Sequence, residues 1–158
     1  MGEDARFEDG DEAPLNLMAA DPDDLQVISA LVQDAVFPAS EMRWLAGQRR
    51  FALLLNRFRW EDPMTRRGVR KPERVQSLLI VDDVEKVQSQ GIKPGDSDIV
   101  LSLLSLSFDP GEDGTGALVL TLAGDGAIRL VVESINVLLK DVTRPYLAPS
   151  HKVPQHPA

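Results

Sequence analysis

The chain has 158 residues and a net charge of −8, with 43% hydrophobic and only 5% aromatic residues. This length fits one domain that can bury a core without covalent cross-links. The absence of cysteine excludes disulfides, zinc–thiolate sites, iron–sulfur clusters and cysteine nucleophiles. The sequence shows no signal-peptide pattern, and no apolar run approaches the ~20 residues that span a bilayer, so we expect a cytoplasmic protein.

The acidic charge is concentrated in the N-terminal segment. Residues 1–24 hold nine acidic residues and one basic residue, a net charge of −8. Because acidic, aromatic-poor sequence is typical of disorder, we predict that residues 1–20 are disordered. Residues 144–158, RPYLAPSHKVPQHPA, are proline-rich and predict an extended C-terminal tail. The single folded domain is therefore expected over residues 21–143.

Residues 21–36 carry signals for two different structures. Asp21 at an N-cap position and Pro22 at the first helical position are typical of a helix start. The β-branched residues of the same stretch, and its match with a later strand, favour a strand instead. We favour the strand, with a helix at 22–35 as the alternative. Residues 134–142 are open in the same way, either a helix or a continued strand.

The middle of the chain reads as short apolar segments separated by turn signals, which predicts antiparallel β structure. Alternating residues from Leu101 to Phe108 indicate a strand, and the acidic, glycine-rich loop Asp109–Gly116 is expected to join it to the next one. Asp125–Gly126 is a strong signal for a type I′ hairpin turn, because both central residues of that turn need a positive φ. Alternation resumes from Ile128 on the return strand.

Two stretches of the chain resemble each other. Residues 44–62 align with residues 121–139 at four identical positions out of nineteen, including LeuAlaGly in both, and the apolar positions agree. In both stretches the apolar positions change parity midway, which predicts a bulge, a bend or a change to helix. Just upstream, Ile28–Ser29 aligns with Leu104–Ser105. We interpret this as an internal duplication of about 25–91 and 98–142.

These patterns together predict a mainly β fold. We expect an antiparallel barrel or sandwich with pseudo-duplicated strand–hairpin units and one or two short helices. The alternative is an α+β fold with helices at 22–35 and 134–142.

Residues that could support catalysis are scarce. Both histidines, His151 and His156, fall in the proline-rich tail, where no core can hold them in place. The loop GEDGTG (111–116) has the glycines of a phosphate loop, but its acids would repel phosphate. The acid pair Asp82–Asp83 could bind a hard cation, although it more simply belongs to the change of strand parity. We therefore expect no catalytic residue, no metal site and no cofactor.

The strongest functional signal is the basic segment 43–74, which holds ten basic and three acidic residues. On a strand, Arg57 and Arg59 share one face while Phe58 and Trp60 share the other, so we expect the arginines to reach solvent and the aromatics to enter the core. We predict a non-catalytic binding or protein-interaction module that contacts an acidic protein or its own acidic N-terminal segment. A nucleic-acid-binding accessory protein using the same residues is the alternative. The predicted contact residues are Arg57, Arg59, Arg66, Arg67, Arg70 and Lys71.

Three segments carry a family resemblance. LQVISALVQDAV (25–36), RRFALLLNRFRWED (49–62) and LTLAGDGAIRLVVESINVLLKDV (120–142) resemble an uncharacterised family of small proteins from alphaproteobacteria. The resemblance implies a bacterial, cytoplasmic, stand-alone domain. It implies no activity, so no catalytic or binding residue is carried over from it.

Overall fold

The computed structural model describes residues 14–62, 67, 73–92 and 98–147. Within these ranges eleven strands join in one sheet, all of whose neighbours are antiparallel, and one α-helix packs against it. The predicted mainly β fold is confirmed. The elements are β1 (Asn16–Ala19), α1 (Pro22–Leu31), β2 (Val36–Pro38), β3 (Met42–Leu45), β4 (Arg50–Phe58), β5 (Glu73–Val81), β6 (Val84–Gln90), β7 (Val100–Pro110), β8 (Gly116–Leu122), β9 (Ala127–Val132), β10 (Val137–Asp141) and β11 (Tyr146–Leu147).

The path of the sheet explains its shape. Its order is β1-β10-β5-β4-β2-β7-β8-β9-β6, with β11 beside β5 and β3 beside β4. Short corners connect β5 to β6 and β9 to β10, and backbone hydrogen bonds join the two corners, from Asp82 N to Asn136 O (2.9 Å) and from Glu133 N to Asp83 O (3.1 Å). The chain therefore links β5 and β10, near one end of the path, directly to β6 and β9 at the other end. The sheet does not close, and its shape fits a sandwich or an open barrel.

A single apolar core lies on the inner face of this sheet. Alternate residues of each long strand point inward, as the period of two dictates for a half-buried strand. The core also includes the apolar face of α1. Its least exposed members are Val32, Ala35, Leu53, Leu79, Val84, Leu103, Leu120, Leu130 and Leu139.

The segment that we favoured as a strand is a helix. Asp21 is the N-cap of α1, and its side-chain Oδ1 accepts a hydrogen bond from the Asp24 backbone N–H at 2.8 Å. Leu25 and Ile28 are buried against the sheet, so the local capping signals agree with the tertiary packing. The prediction of a strand at 21–36 is wrong because the Asp21 cap and the burial of Leu25 and Ile28 outweigh the strand preference of the β-branched residues.

The helix also bears on the proposed duplication. Ile28–Ser29 lies in α1, whereas its aligned partner Leu104–Ser105 lies in strand β7. The hairpins β3–β4 and β8–β9, by contrast, occupy matching places in the alignment. The duplication therefore stays a prediction, supported by the hairpins alone.

Both predicted hairpin loops form. β7 and β8 pair down to Pro110 and Gly116, which confirms the loop between them. Gly116 is required there, because an added Cβ would clash with the carbonyl oxygen of Asp109. In the β8–β9 turn the positive φ angles belong to Gly124 (82°) and Asp125 (70°), one position earlier than predicted. Aspartate tolerates this left-handed conformation better than most residues, which permits the shift.

The ends of the domain extend beyond the predicted limits. Residues 1–13 lie outside the described residues, but β1 pairs with β10, so the prediction of disorder over 1–20 is wrong for Asn16–Ala19. Residues 137–141 form strand β10, which settles the second open segment as a strand. The predicted tail begins with β11, which pairs with β5, and residues 148–158 lie outside the described residues.

Candidate functional site

Arg57 occupies an inward-facing position of β4. The β4–β5 register is unbroken from Phe51 to Phe58, so Arg57 shares the face of Phe51, Leu53 and Leu55. Its exposed fraction is 0%, and the expectation that it reaches solvent is wrong. The predicted change of face does not occur in β4, because this strand buries the charged side chain instead of changing register.

Three residues from separate parts of the chain surround the Arg57 guanidinium. Asp141 at the end of β10 accepts from Arg57 Nη2 at 3.0 and 3.1 Å and from Nε at 3.2 Å. Glu61 binds it in a bidentate arrangement, with distances of 2.8 and 2.9 Å. The Ser77 hydroxyl accepts from Arg57 Nε at 3.1 Å and donates to Asp141 Oδ1 at 2.7 Å. We call Arg57, Glu61, Ser77 and Asp141 the buried ion cluster.

The electrostatics of the cluster follow from this geometry. Burial by itself lowers the pKa of Arg57, but the hydrogen bonds and charges of Glu61 and Asp141 outweigh it, and the net pKa is raised. Burial likewise raises the pKa of Glu61, but the hydrogen bonds and charge of Arg57 outweigh it, and the net pKa is lowered. Arg57 and Glu61 therefore hold their ionised forms across the neutral pH range. All of these groups have partners within the chain, which is the arrangement of a structural ion network.

Arg59 is also buried, with 2% of its surface exposed. Its Nη1 donates to Glu73 Oε1 at 2.6 Å, and its backbone N–H donates to the Glu73 carbonyl oxygen at 3.1 Å. The expectation that Arg59 reaches solvent is wrong for the same reason as for Arg57. An acidic partner on an adjacent strand offsets the desolvation cost of burying the arginine.

The aromatic residues of the same stretch differ from each other. Phe58 is buried, as predicted, and lies on the opposite face of β4 from the main core, with the Arg74 guanidinium 4.2 Å above its ring. Burial lowers the pKa of Arg74. Trp60 is only half-buried, so its predicted core position is wrong. Its Nε1 donates to the Gln33 carbonyl oxygen at 2.8 Å, and its ring centroid lies 5.5 Å from that of Phe58.

The remaining predicted contact residues belong to the basic loop that connects β4 to β5. Arg67 is exposed. Arg66, Arg70 and Lys71 lie outside the described residues. Two of the six predicted contact residues, Arg57 and Arg59, are thus removed from the accessible surface, and the structure does not bring the six together as one described patch.

The acid pair at the β5–β6 corner has a structural role. Asp82 Oδ1 accepts from Arg50 Nε at 2.7 Å, and Asp83 Oδ2 accepts from the Asn136 side chain at 3.2 Å. Asp83 adopts a positive φ of 60°, which the corner requires. Across the described ranges, no group of three or more histidine, cysteine or acidic side chains is arranged to hold a metal ion.

An open groove of about 520 Å³ lies between the outer face of α1 and the residues that follow β4. Val27, which is 54% exposed, projects from α1 toward it, and Trp60 forms the opposite wall. We call this feature the α1–Trp60 groove. Its lining residues are Asp23, Gln26, Val27, Ala30, Leu31, Gln33, Trp60 and Glu61.

The charge and rigidity of the groove are set by its neighbours. Of the lining residues in the described part of the chain, Asp23 and Glu61 are acidic and none is basic. Glu61 is held by Arg57, and the Trp60 ring is held by the hydrogen bond to Gln33. One wall is therefore fixed to the buried ion cluster. Sequence reasoning missed this groove because it read Val27 as part of a strand; an apolar Val27 on the polar side of a helix was the signal that could have found it.

The chain matches the family model described as "Protein of unknown function (DUF2948)" over residues 15–156. The chain belongs to this family. The DUF2948 match covers every element described above, from β1 to β11, and includes both walls of the α1–Trp60 groove. No curated protein and no solved structure matches the chain. No helix within the described parts of the chain is sufficiently long and apolar to span a membrane.

Proposed function

We propose that this DUF2948 domain is a non-catalytic protein-interaction module of the bacterial cytoplasm, and that it binds a short proline-containing, basic segment in the α1–Trp60 groove. The observation that carries the proposal is an exposed apolar groove with one wall anchored by buried ion pairs. An apolar concavity with a few placed polar groups is the usual form of a binding site.

The geometry favours an extended peptide as the ligand. The indole N–H of Trp60 donates to the Gln33 carbonyl oxygen, which holds the ring in place along the groove. Proline-rich segments dock on aromatic walls of this kind, because their preformed helix loses little entropy on binding. The ordered wall also reduces the conformational entropy that the protein loses on binding.

The charges of the groove favour a basic ligand. Asp23 is exposed at the first turn of α1, where a lysine or arginine of the ligand can approach it. This partner differs from the acidic one that the sequence suggested, because Arg57 and Arg59 are buried and the charged residues in the described lining of the groove are Asp23 and Glu61. Rim charges of this kind contribute mainly to specificity and to the rate of association.

The basic loop supports a second candidate. Arg67 is exposed, and Arg66, Arg70 and Lys71 are its neighbours in sequence. An acidic protein, the N-terminal segment of this chain or a nucleic acid remains a proposal for this loop. Titration of the protein with single-stranded nucleic acid at two salt concentrations tests the last of these, since phosphate contacts weaken steeply with salt.

A displayed library of random peptides tests the principal proposal. We expect the wild-type chain to enrich peptides that contain proline and at least one lysine or arginine. Val27→Asp places a charge in the groove and should reduce binding of the enriched peptides by at least ~10-fold, a loss of about 1.4 kcal/mol. Val100→Asp is the matched control, because Val100 is 67% exposed and lies on β7 outside the groove. Equal binding by the two variants, or no enrichment, would contradict the proposal.

A further inference from the structure

We infer that the outer face of the sheet at strands β4, β5 and β10 is a docking surface for an amphipathic helix of another protein, with an apolar stripe and acidic flanks. The inference does not depend on the α1–Trp60 groove, because it concerns other residues. It follows from three observations: strands that are apolar on both faces, the shape of the outward apolar area, and the sign of the charges beside it.

Strands β4, β5 and β10 carry apolar residues on both of their faces. Leu53 and Leu79 point into the core and are fully buried. Leu54, Ile80 and Leu138 have the opposite parity, so they point outward, and each is half-buried. An antiparallel sheet with one solvated face normally alternates apolar and polar residues, whereas continuous apolar runs are typical of strands that are covered on both faces. The sequence of these strands therefore indicates a cover on the outer face.

The outward residues form one continuous area, because the pairing register places them side by side. Met18 pairs with Leu138, and Leu138 pairs with Ile80. Ile80 in turn pairs with Ala52, so one apolar row crosses four strands. Met18 is 71% exposed, at the β1 end of the row. The row and the adjacent pair on β4 and β5 make up what we call the outer apolar stripe: Met18, Ala52, Leu54, Leu78, Ile80 and Leu138.

The other half of the sheet shows that the fold does not require this stripe. Strands β7, β8, β9 and β6 share the same core, yet their outer face is polar in the usual way. The corresponding row there consists of Ser107, Val119, Arg129 and Gln88. Helix α1 packs on β7 and β1 with Leu25 and Ile28 in the inner core, so its apolar face is already used. The stripe therefore has a reason that lies outside the core of the described chain.

The shape of the stripe fits a helix better than a second copy of the chain. At the usual strand spacing the row is ~14 Å long, and its two rows lie ~7 Å apart. The Arg50–Asp82 ion pair borders it on one side and the Asn56–Gln76 pair on the other. Its area of about 200 Å² is well below the ~800 Å² that each partner contributes to a standard dimer. The apolar side of a helix is similarly narrow, and positions i, i+3, i+4 and i+7 extend over about 10 Å.

The charges beside the stripe favour acidic flanks on that helix. Arg43 pairs with Ala52 at the β3 end of the row, and Lys140 pairs with Leu78. Both basic residues are exposed, and they are the charged cross-strand partners of the stripe in the described registers. Carboxylates on either side of a docked apolar helix face can approach them. Such exposed charges act mainly on specificity and on the rate of association, and salt weakens their effect.

A displayed library of helical peptides tests the inference. Each peptide has about 18 residues, with leucine fixed at positions i, i+3, i+4 and i+7 of one face and glutamate, lysine or glutamine at the flanking positions. We expect the wild-type chain to enrich peptides with glutamate flanks. The most enriched peptide, labelled with fluorescein, is then the probe for fluorescence anisotropy, and its affinity should fall as salt is added.

Matched variants on the two halves of the sheet locate the binding. Ile80→Thr places a hydroxyl in the stripe and should weaken probe binding by at least ~10-fold, whereas Val119→Thr, at a half-buried outward position of β8, should leave it unchanged. Lys140→Glu should weaken binding by about 5-fold, and Lys86→Glu on the exposed side of β6 is its control. Thermal unfolding checks that each variant is folded. Met18→Ser, at the exposed end of the row, replaces Ile80→Thr if that variant is unfolded.

Three outcomes overturn the inference, and none of them bears on the groove. Absence of enrichment, or enrichment of lysine at the flanks, would reject the acidic helix. Equal binding by Ile80→Thr and Val119→Thr would place the peptide elsewhere on the protein. Light scattering after size-exclusion chromatography gives the third: a wild-type dimer that Ile80→Thr dissociates and Val119→Thr does not would assign the stripe to a second copy of the chain.

Discussion

The stretches 51–60 and 128–137 begin with the same pattern, but they accommodate a polar residue at an inward position in different ways. In both, three alternating apolar residues are followed by a polar residue on the inward parity. In the first, β4 continues in register and buries Arg57. In the second, β9 ends at Val132, exposed Glu133 and Ser134 form a corner, and β10 begins at Val137.

The difference shows what decides between the two solutions. A buried arginine needs acidic partners, and Arg57 finds them in Asp141 and Glu61. Ser134 has no comparable reason to enter the core, and the chain bends there to restore burial with Ile135 and Val137. The predicted bend is confirmed in the second stretch and wrong in the first. The pattern of alternation therefore predicts that a polar residue falls at an inward position. Long-range partners determine whether the strand buries that residue or bends.

The largest effect should follow from removing the arginine. Arg57→Ala leaves Asp141 and Glu61 without their common partner, and we expect a loss of about 3–5 kcal/mol in the free energy of unfolding, measured by urea denaturation. Arg129→Ala is the matched control, because the Arg129–Asp109 pair is exposed and should contribute about 0–1 kcal/mol. A loss of less than ~1 kcal/mol for Arg57→Ala would show that burial does not depend on the cluster.

A double-mutant cycle sharpens the assignment to one pair. Arg57→Ala, Asp141→Ala and the double variant should show a coupling energy of up to ~3 kcal/mol, because removing both charges is less costly than isolating one. The same cycle at Arg129 and Asp109 should give under ~1 kcal/mol. Additive losses at Arg57 and Asp141 would mean that each residue acts through other neighbours, such as Ser77.

Sequence reasoning reached the strands but not this cluster, and the reason is physical. Alternation and turn residues are local, so the strand from Leu101, the loop after it and the return strand from Ile128 were predictable. Arg57 and Asp141 are 84 positions apart, and no local pattern shows that they meet. The inward parity of Arg57 is the available signal. A charged residue on the same face as Phe51 and Leu53 either has a buried partner or is avoided by a bend of the strand. The capping signal at Asp21 is also local, and it correctly indicates the start of α1.

The pH dependence of unfolding distinguishes the buried ion cluster from an ordinary surface pair. The pKa of Glu61 is lowered in the folded state, so the folded chain binds fewer protons at this site than the unfolded chain. Its contribution is complete above the usual glutamate pKa of about 4.3 and is lost as the pH falls through the lower value of the folded state. The free energy of unfolding, measured by urea denaturation between about pH 6 and about pH 3 where carboxylates titrate, should therefore depend less on pH in Glu61→Gln than in the wild-type chain. Glu112→Gln, in the exposed β7–β8 loop, serves as the control, and an unchanged dependence in Glu61→Gln would contradict the assignment.

The smallest effect concerns the turns that precede the two stretches. Gly47 and Gly124 are aligned in the LeuAlaGly motif, yet only Gly124 has a positive φ, of 82°. Neither would bring an added Cβ within 4 Å of other atoms, so the backbone conformation alone separates them. Gly124→Ala should lower the free energy of unfolding by about 1 kcal/mol, because an L-residue is strained in the left-handed region. Gly47→Ala should be neutral or stabilising by up to ~1 kcal/mol, because alanine reduces the freedom of the unfolded chain. Equal losses in thermal or urea denaturation would indicate that the two turns share one conformation in solution, and that the difference between the stretches begins only after them.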